Sequence, residues 1–210
     1  MVDSFRLSSI RSAIIYAMGA DLEQLAAVAE VTGRLIDAVT DDQWGLPTPC
    51  EEWTVRDLVE HVVDGNDGFA AALLEPPGEI GATAALSGDP AGRYRRSVEE
   101  LLRAFRQSEA LERPVTVPFG TVPGAVALHL RITELLVHGW DLARATGQTV
   151  AFPDDVVEQE LAFSLRALGD VGPGRRPFAP PEAVADDAAV IDRLAACLGR
   201  KVAGPPVGAG

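Results

Sequence analysis

The segment Ala125–Thr146, AVALHLRITELLVHGWDLARAT, decides the reading of this chain because, drawn as a helix, it is apolar nearly all round. At about 100° of rotation per residue, Arg131, Glu134, His138 and Asp141 fall in one stripe. Leu130 and Val137 border that stripe on one side, Leu128, Leu135 and Leu142 on the other, and Ile132, Leu136 and Trp140 cover much of the remainder. Such a helix is buried among neighbours, and an ionised carboxylate in its stripe has to be paired or bound to a cation. Glu134 and His138, four residues apart, aim at one point, as they do where a helix bundle takes two metal ligands from one helix. The competing reading is a ladder of intrahelical ion pairs, Arg131 with Glu134 and His138 with Asp141.

Helical periodicity recurs on both sides of this segment. It runs from Ala20 to about Val39, from Thr54 to about Leu74 and from Ala91 to Ser108. Thr54 followed by Asp57 is a loose capping box that starts the second of these helices. Pro47 and Pro49 bar a helix between Thr40 and Trp53, and Gly, Pro and Ala make a loop of 75–90. Pro114, Pro118, Gly120 and Pro123 make 113–124 an irregular connection with a short extended piece at 115–117. Downstream, Asp154–Leu168 reads as a further helix, 169–181 as a linker and Ala185–Leu198 as a last short helix. The pattern predicts an all-α protein, a four-helix bundle with a short C-terminal helical extension. The expected organisation is an N-terminal extension at 1–17, the bundle at 18–150, the helical extension at 151–203 and a flexible tail at 204–210.

The chain has three histidines, so the search for a third ligand is short. His61 lies midway along the second helix beside an apolar face of Val55, Leu58, Val62 and Phe69, and Gly65 and Gly68 on nearby rows leave room for a bound molecule. Alone, His61 reads as a satisfied core histidine; with Glu134 and His138 it completes a two-histidine, one-carboxylate zinc set with an open fourth position. His129 points away from the stripe and reads as structural or partly exposed. Cys50 reads as a buried structural thiol, Asp57 as a helix cap or an orienting partner of His61, and Asp141 as a partner of His138. Trp53, Trp140 and Phe69 read as core.

The chain of 210 residues, 47% hydrophobic and 23% charged, can bury a substantial core. A formal charge of −13 disfavours nucleic acid and anionic membrane surfaces as partners. No apolar run is long enough to span a bilayer, and no secretory signal is evident at the start. Two distant cysteines, Cys50 and Cys197, suggest no disulfide framework. A cytoplasmic location is the expectation.

Two blocks resemble a known family. Residues 47–61, PTPCEEWTVRDLVEH, are similar to the second-helix signature of actinobacterial proteins related to mycothiol-dependent maleylpyruvate isomerase, within the DinB-like group. Residues 133–147, TELLVHGWDLARATG, are similar to that family's fourth-helix signature. Asp192-Arg193-Leu194 with Leu198-Gly199-Arg200 resembles the ending of one uncharacterised branch, so the likeness spans roughly Met18 to Lys201. The resemblance implies a DinB-like bundle with a divalent metal, zinc by preference, on His61, Glu134 and His138. It further implies mycothiol and a small electrophilic substrate as partners in an isomerase or thiol transferase. Sulfur would add to an activated carbon of that substrate, with Arg131 anchoring a carboxylate. Two alternatives stand beside this: a metal-dependent hydrolase, and a module that binds metal or ligand without turnover.

Overall fold

The early helices start where a side chain satisfies the free N–H groups of the opening turn. At α1, Leu22–Asp37, the Asp21 carboxylate accepts from the Gln24 N–H at 2.8 Å and the Gln24 side chain accepts from the Asp21 N–H at 3.1 Å. The expected capping box opens α2, Val55–Leu73, through Thr54 and Asp57. Asp89 caps α3, Pro90–Phe105, where Pro90 supplies a pre-set φ in the first turn. This computed structural model describes residues 21–50, 53–74, 89–117, 120–169 and 179–202. The expected extension at 1–17, the tail at 204–210, and most of the loop at 75–90 and the linker at 169–181 lie outside the described residues.

The connection expected to be irregular is instead a hairpin. Strand β1, Pro114–Val117, pairs antiparallel with β2, Gly120–Pro123, with Val115 opposite Val122 and the two prolines opposite each other at the open end. The hairpin solves a problem for α4, Gly124–Thr146, which follows Pro123 without a side-chain cap. The Gly124 and Ala125 N–H groups donate to the carbonyls of Arg113 and Leu111, each at 2.8 Å. A Cβ on Gly124 would lie 1.8 Å from the Ala110 carbonyl oxygen, so the approach requires glycine. Gly147, at φ +70°, ends the helix in the left-handed conformation.

Helix α1 packs on α3 and α4, and α2 packs on the same two, giving the four-helix bundle. Leu128, Ile132, Leu135, Leu136 and Val137 of α4 are fully buried in its core, each contributing about 1.5–3 kcal/mol of apolar transfer. Helices α5, Asp154–Gly169, and α6, Val190–Cys197, pack on each other and on α4. The fold is thus the expected four-helix bundle with a short C-terminal helical extension, its described elements all helical apart from the β1–β2 hairpin. Among the described residues no helix is long and apolar enough to cross a membrane.

Candidate metal centre

Helices α2 and α4 set His61 against Glu134 and His138. Nε2 of His61 and Nε2 of His138 each lie 3.3 Å from the same carboxylate oxygen, Oε2 of Glu134. One ligand atom from each of the three residues falls within 4.8 Å of the others. Side-chain exposure falls from 39% at His61 through 22% at Glu134 to 4% at His138, so the cluster opens to solvent on the α2 side. The 3.3 Å contacts are long for N–H···O hydrogen bonds, which run to about 3.2 Å. They match the edge of about 3.3 Å between ligand atoms of a tetrahedron with bonds of about 2.0–2.1 Å. The residues present therefore fit a zinc-type ion in chemistry and along the two edges that meet at Glu134, with the His61–His138 edge within 4.8 Å.

Without an ion the three groups pull on one another. Burial alone would push the Glu134 carboxyl up, but contacts with His138 and His61 and the nearby charges of His138 and Arg131 hold it well below the usual carboxylate range. Burial would push His138 down; its contacts with Asp141 and Glu134 outweigh that and raise it. Asp141 is fully buried with Oδ2 3.1 Å from Nδ1 of His138. One rung of the alternative ion-pair ladder is thus present, while Nδ1 and Nε2 of the same ring face different carboxylates.

Arg131 does not form the other rung. It is 1% exposed, and its Nε and Nη2 atoms are buried without a hydrogen-bond partner. Its guanidinium carbon lies 5.7 Å from the centre of the Phe69 ring. A Cβ on Gly65 would lie 2.2 Å from Nη1 of Arg131. The room expected beside Gly65 is therefore taken up by this guanidinium, whereas Gly68 faces open space. Burial pulls the Arg131 guanidinium down, against the opposing pull of Glu134 and Tyr94.

His129 is structural, but it is fully buried rather than partly exposed: Nδ1 lies 2.7 Å from Oε1 of Glu160, and the ring stacks on Phe163 at 4.5 Å. Trp53, expected in the core, is only half-buried, and its ring lies 4.5 Å from that of His61 and 5.9 Å from that of His138, forming a wall of the cluster. Trp140 is core, with its N–H donated to Asp192. Asp57 caps α2. Cys50 is half-buried, not buried, and sits in no disulfide. Sequence reasoning missed Arg200, whose guanidinium holds Asp141. Two signals bore on it: Arg200 stands in the C-terminal block that resembles one branch of the family, and a buried Asp141 needs a cation, but the sequence does not join the two.

A helical bundle with two histidines and a glutamate gathered between its second and fourth helices defines the class, and comparison with known proteins defines the family. The model of the mycothiol maleylpyruvate isomerase N-terminal domain matches residues 25–143, and this chain belongs to that family. Two uncharacterized proteins from two strains of Mycobacterium tuberculosis are 36% identical over 173 residues, covering 80% of this chain and 91% of theirs. The crystal structure of the mycothiol-dependent maleylpyruvate isomerase shares the fold at a TM-score of 0.55 and 19% identity, over 70% of this chain and 71% of that one. A DinB-like protein from Bacillus subtilis does so at 0.52 and 20%, over 63% of this chain and 94% of its own.

Proposed function

We propose that this protein is a thiol-dependent isomerase or thiol transferase. It holds a divalent ion, zinc by preference, through His61, Glu134 and His138, and acts on a small electrophilic substrate with mycothiol as its thiol. The observation that carries the reading is the pair of 3.3 Å approaches to Oε2 of Glu134 from two histidines on different helices, in a cluster partly open to solvent. Two histidines and a carboxylate make a zinc set with a fourth position free. An ion held there lowers the pKa of a thiol taking that position, so that thiolate is available at neutral pH.

The chain's own groups supply the rest. Glu134, kept ionised, offsets part of the cation's charge, and Trp53 shields one side of the cluster from water. Arg131 belongs to the proposal as the anchor for a substrate carboxylate, because buried N–H donors without partners call for an anionic acceptor. The family of the chain supports mycothiol over other thiols.

Metal analysis of protein purified without chelator is expected to find one divalent ion per chain. In cobalt-substituted protein, mycothiol should add a thiolate-to-metal charge-transfer band. An unchanged spectrum with no heat of binding overturns the thiol-dependent reading, and turnover of a substrate without any thiol would assign a hydrolase instead. A chain that takes up no ion overturns the metal centre itself.

A further inference from the structure

Arg200 lies far along the chain from Glu134, yet it reaches the back of the same cluster. Its Nε donates to Oδ1 of Asp141 at 3.2 Å and its Nη2 to Oδ2 at 2.9 Å, a two-point grip across 59 residues of sequence. Nη1 donates to the Leu198 carbonyl at 3.0 Å, so the guanidinium is itself held. Arg200 is 7% exposed and Asp141 fully buried. Oδ2 of Asp141 then faces Nδ1 of His138 at 3.1 Å, and Nε2 of His138 faces Glu134.

The end of α6 is built to deliver this residue. The Gly199 N–H donates to the Ala196 carbonyl at 3.0 Å and the Arg200 N–H to the Ala195 carbonyl at 2.9 Å, the paired bonds of a Schellman turn. Gly199 sits at φ +83°, and a Cβ there would lie 2.6 Å from the Ala179 side chain, so glycine is required twice over. Upstream, Asp192 accepts from the Trp140 indole N–H at 2.7 Å and from Nη2 of Arg144 at 3.0 Å, docking α6 on α4.

We infer that Arg200 is a positioning residue for the candidate metal centre: through Asp141 it fixes the orientation of the His138 ring, keeping Nδ1 on Asp141 and Nε2 as the atom left for an ion. The inference rests on the metal-centre reading and extends it to a C-terminal segment outside the matched span of 25–143. A guanidinium is a permanent cation with donors in a rigid fork. Gripped at both oxygens, the Asp141 carboxylate is fixed as an acceptor, which makes Nδ1 of His138 the N–H donor and Nε2 the ligand atom. Without the grip, Asp141 is a buried carboxylate free to turn, and the ring is free to turn with it.

The test uses the full chain, cobalt or zinc chloride, and competition with a chromophoric chelator. Arg200→Met and Asp141→Asn are each expected to weaken metal binding by about 10–100-fold, the range for partners behind a ligand. The double variant should lose no more than the worse single, because both act through one contact. Arg200→Lys, which keeps the charge but not the fork, should recover only part of the loss and decides the matter if Arg200→Met does not fold. Asp192→Asn, which loosens α6, should lower the melting temperature while leaving affinity within about twofold of wild type. Nitrogen-15 and proton spectra of the metal-free protein should show the His138 Nδ1 proton held in a hydrogen bond and slow to exchange, and exchanging faster in Arg200→Met. Wild-type affinity and wild-type exchange of that proton in Arg200→Met, with only stability lost, overturn the inference. If the wild type binds no ion, the metal reading fails by itself, and the exchange of the His138 Nδ1 proton alone decides the role of Arg200.

Discussion

Helix α4 carries two histidine–glutamate clusters built from the same residue types and opposite in character. In one, His129 and Glu160 meet at 2.7 Å with side chains 1% and 0% exposed. Thr133 donates to the second carboxylate oxygen at 2.9 Å, and Phe163 covers the imidazole. In the other, His61 and His138 approach a single oxygen of Glu134 at 3.3 Å, with a solvent-facing side. The closed cluster has each carboxylate oxygen in a good hydrogen bond and ties α5 to α4. The open one has two nitrogens converging on one oxygen, an arrangement that a cation satisfies better than a proton does. Histidine and glutamate on a buried helix do not by themselves signal a metal. Nor does an unpartnered nitrogen, since Nε2 of His129 in the closed cluster is one. The difference is the convergence of two nitrogens on one carboxylate oxygen.

The largest expected effect separates the two clusters directly. His138→Ala should weaken metal binding by more than about 100-fold, since even partners behind a ligand cost about 10–100-fold, whereas His129→Ala should leave metal content unchanged. Metal per chain after identical purification is the measurement. Equal losses in the two variants would erase the distinction.

Stability should run the other way. His129→Ala strands the buried Glu160 carboxylate, and breaking a buried pair by removing one partner costs about 3–5 kcal/mol. Glu134→Gln, where the side chain is 22% exposed and both histidine contacts are long at 3.3 Å, should cost less than His129→Ala in the metal-free protein. Denaturant unfolding of the metal-free variants compares them, and a larger loss in Glu134→Gln would mean that the open cluster is a structural tie.

Acid should act on the open cluster next. In the metal-free protein His138 is raised from 6.5, so the stability it contributes is fully present below 6.5 and is lost as pH rises through the folded value. Glu134 is lowered from 4.5, so its contribution is present above 4.5 and is lost as pH falls through its folded value. The cluster thus stabilises the metal-free chain most between 4.5 and 6.5. Metal has to displace the His138 proton, so affinity should fall about tenfold per pH unit below the raised value. His129→Ala should keep this profile, and a flat profile in the wild type would mean that His138 is not a ligand.

The contrast also explains what the sequence could reveal. Ligand spacing on α4 and the place of His61 on α2 are properties of single helices, and periodicity suffices to put them on the right faces. The partners that distinguish the clusters arrive from elsewhere: Glu160 from α5, Trp53 from the loop before α2, Arg200 from the turn after α6. Nothing local records such pairings. Gly65 was legible as a small residue beside His61, but whether a ligand or Arg131 fills the space is decided by packing between helices. The hairpin was half legible: Val115–Val117 alternates as a strand should, while glycine and proline in Gly120–Pro123 hid its partner.

The smallest effect concerns how His61 is held. Whereas the closed cluster depends on a second helix, the α2 arm of the open one begins at a local cap. The Thr54 hydroxyl donates to Oδ2 of Asp57 at 2.6 Å, and the Thr54 N–H reaches the same oxygen at 2.9 Å. These two bonds hold the Asp57 carboxyl below its ordinary range. Asp57 therefore faces back toward the cap, in keeping with a capping role over an orienting one for His61. Thr54→Ala should cost about 1 kcal/mol of stability, the usual value of a lost cap, with metal affinity changed by less than about threefold, because Val55, Leu58, Val59 and Val62 still bury α2 against the bundle. Thermal unfolding and a cobalt titration on the same sample read both quantities. A tenfold loss of affinity at that small cost in stability would show that the first turn of α2 positions His61, making the open cluster as dependent on its supports as the closed one.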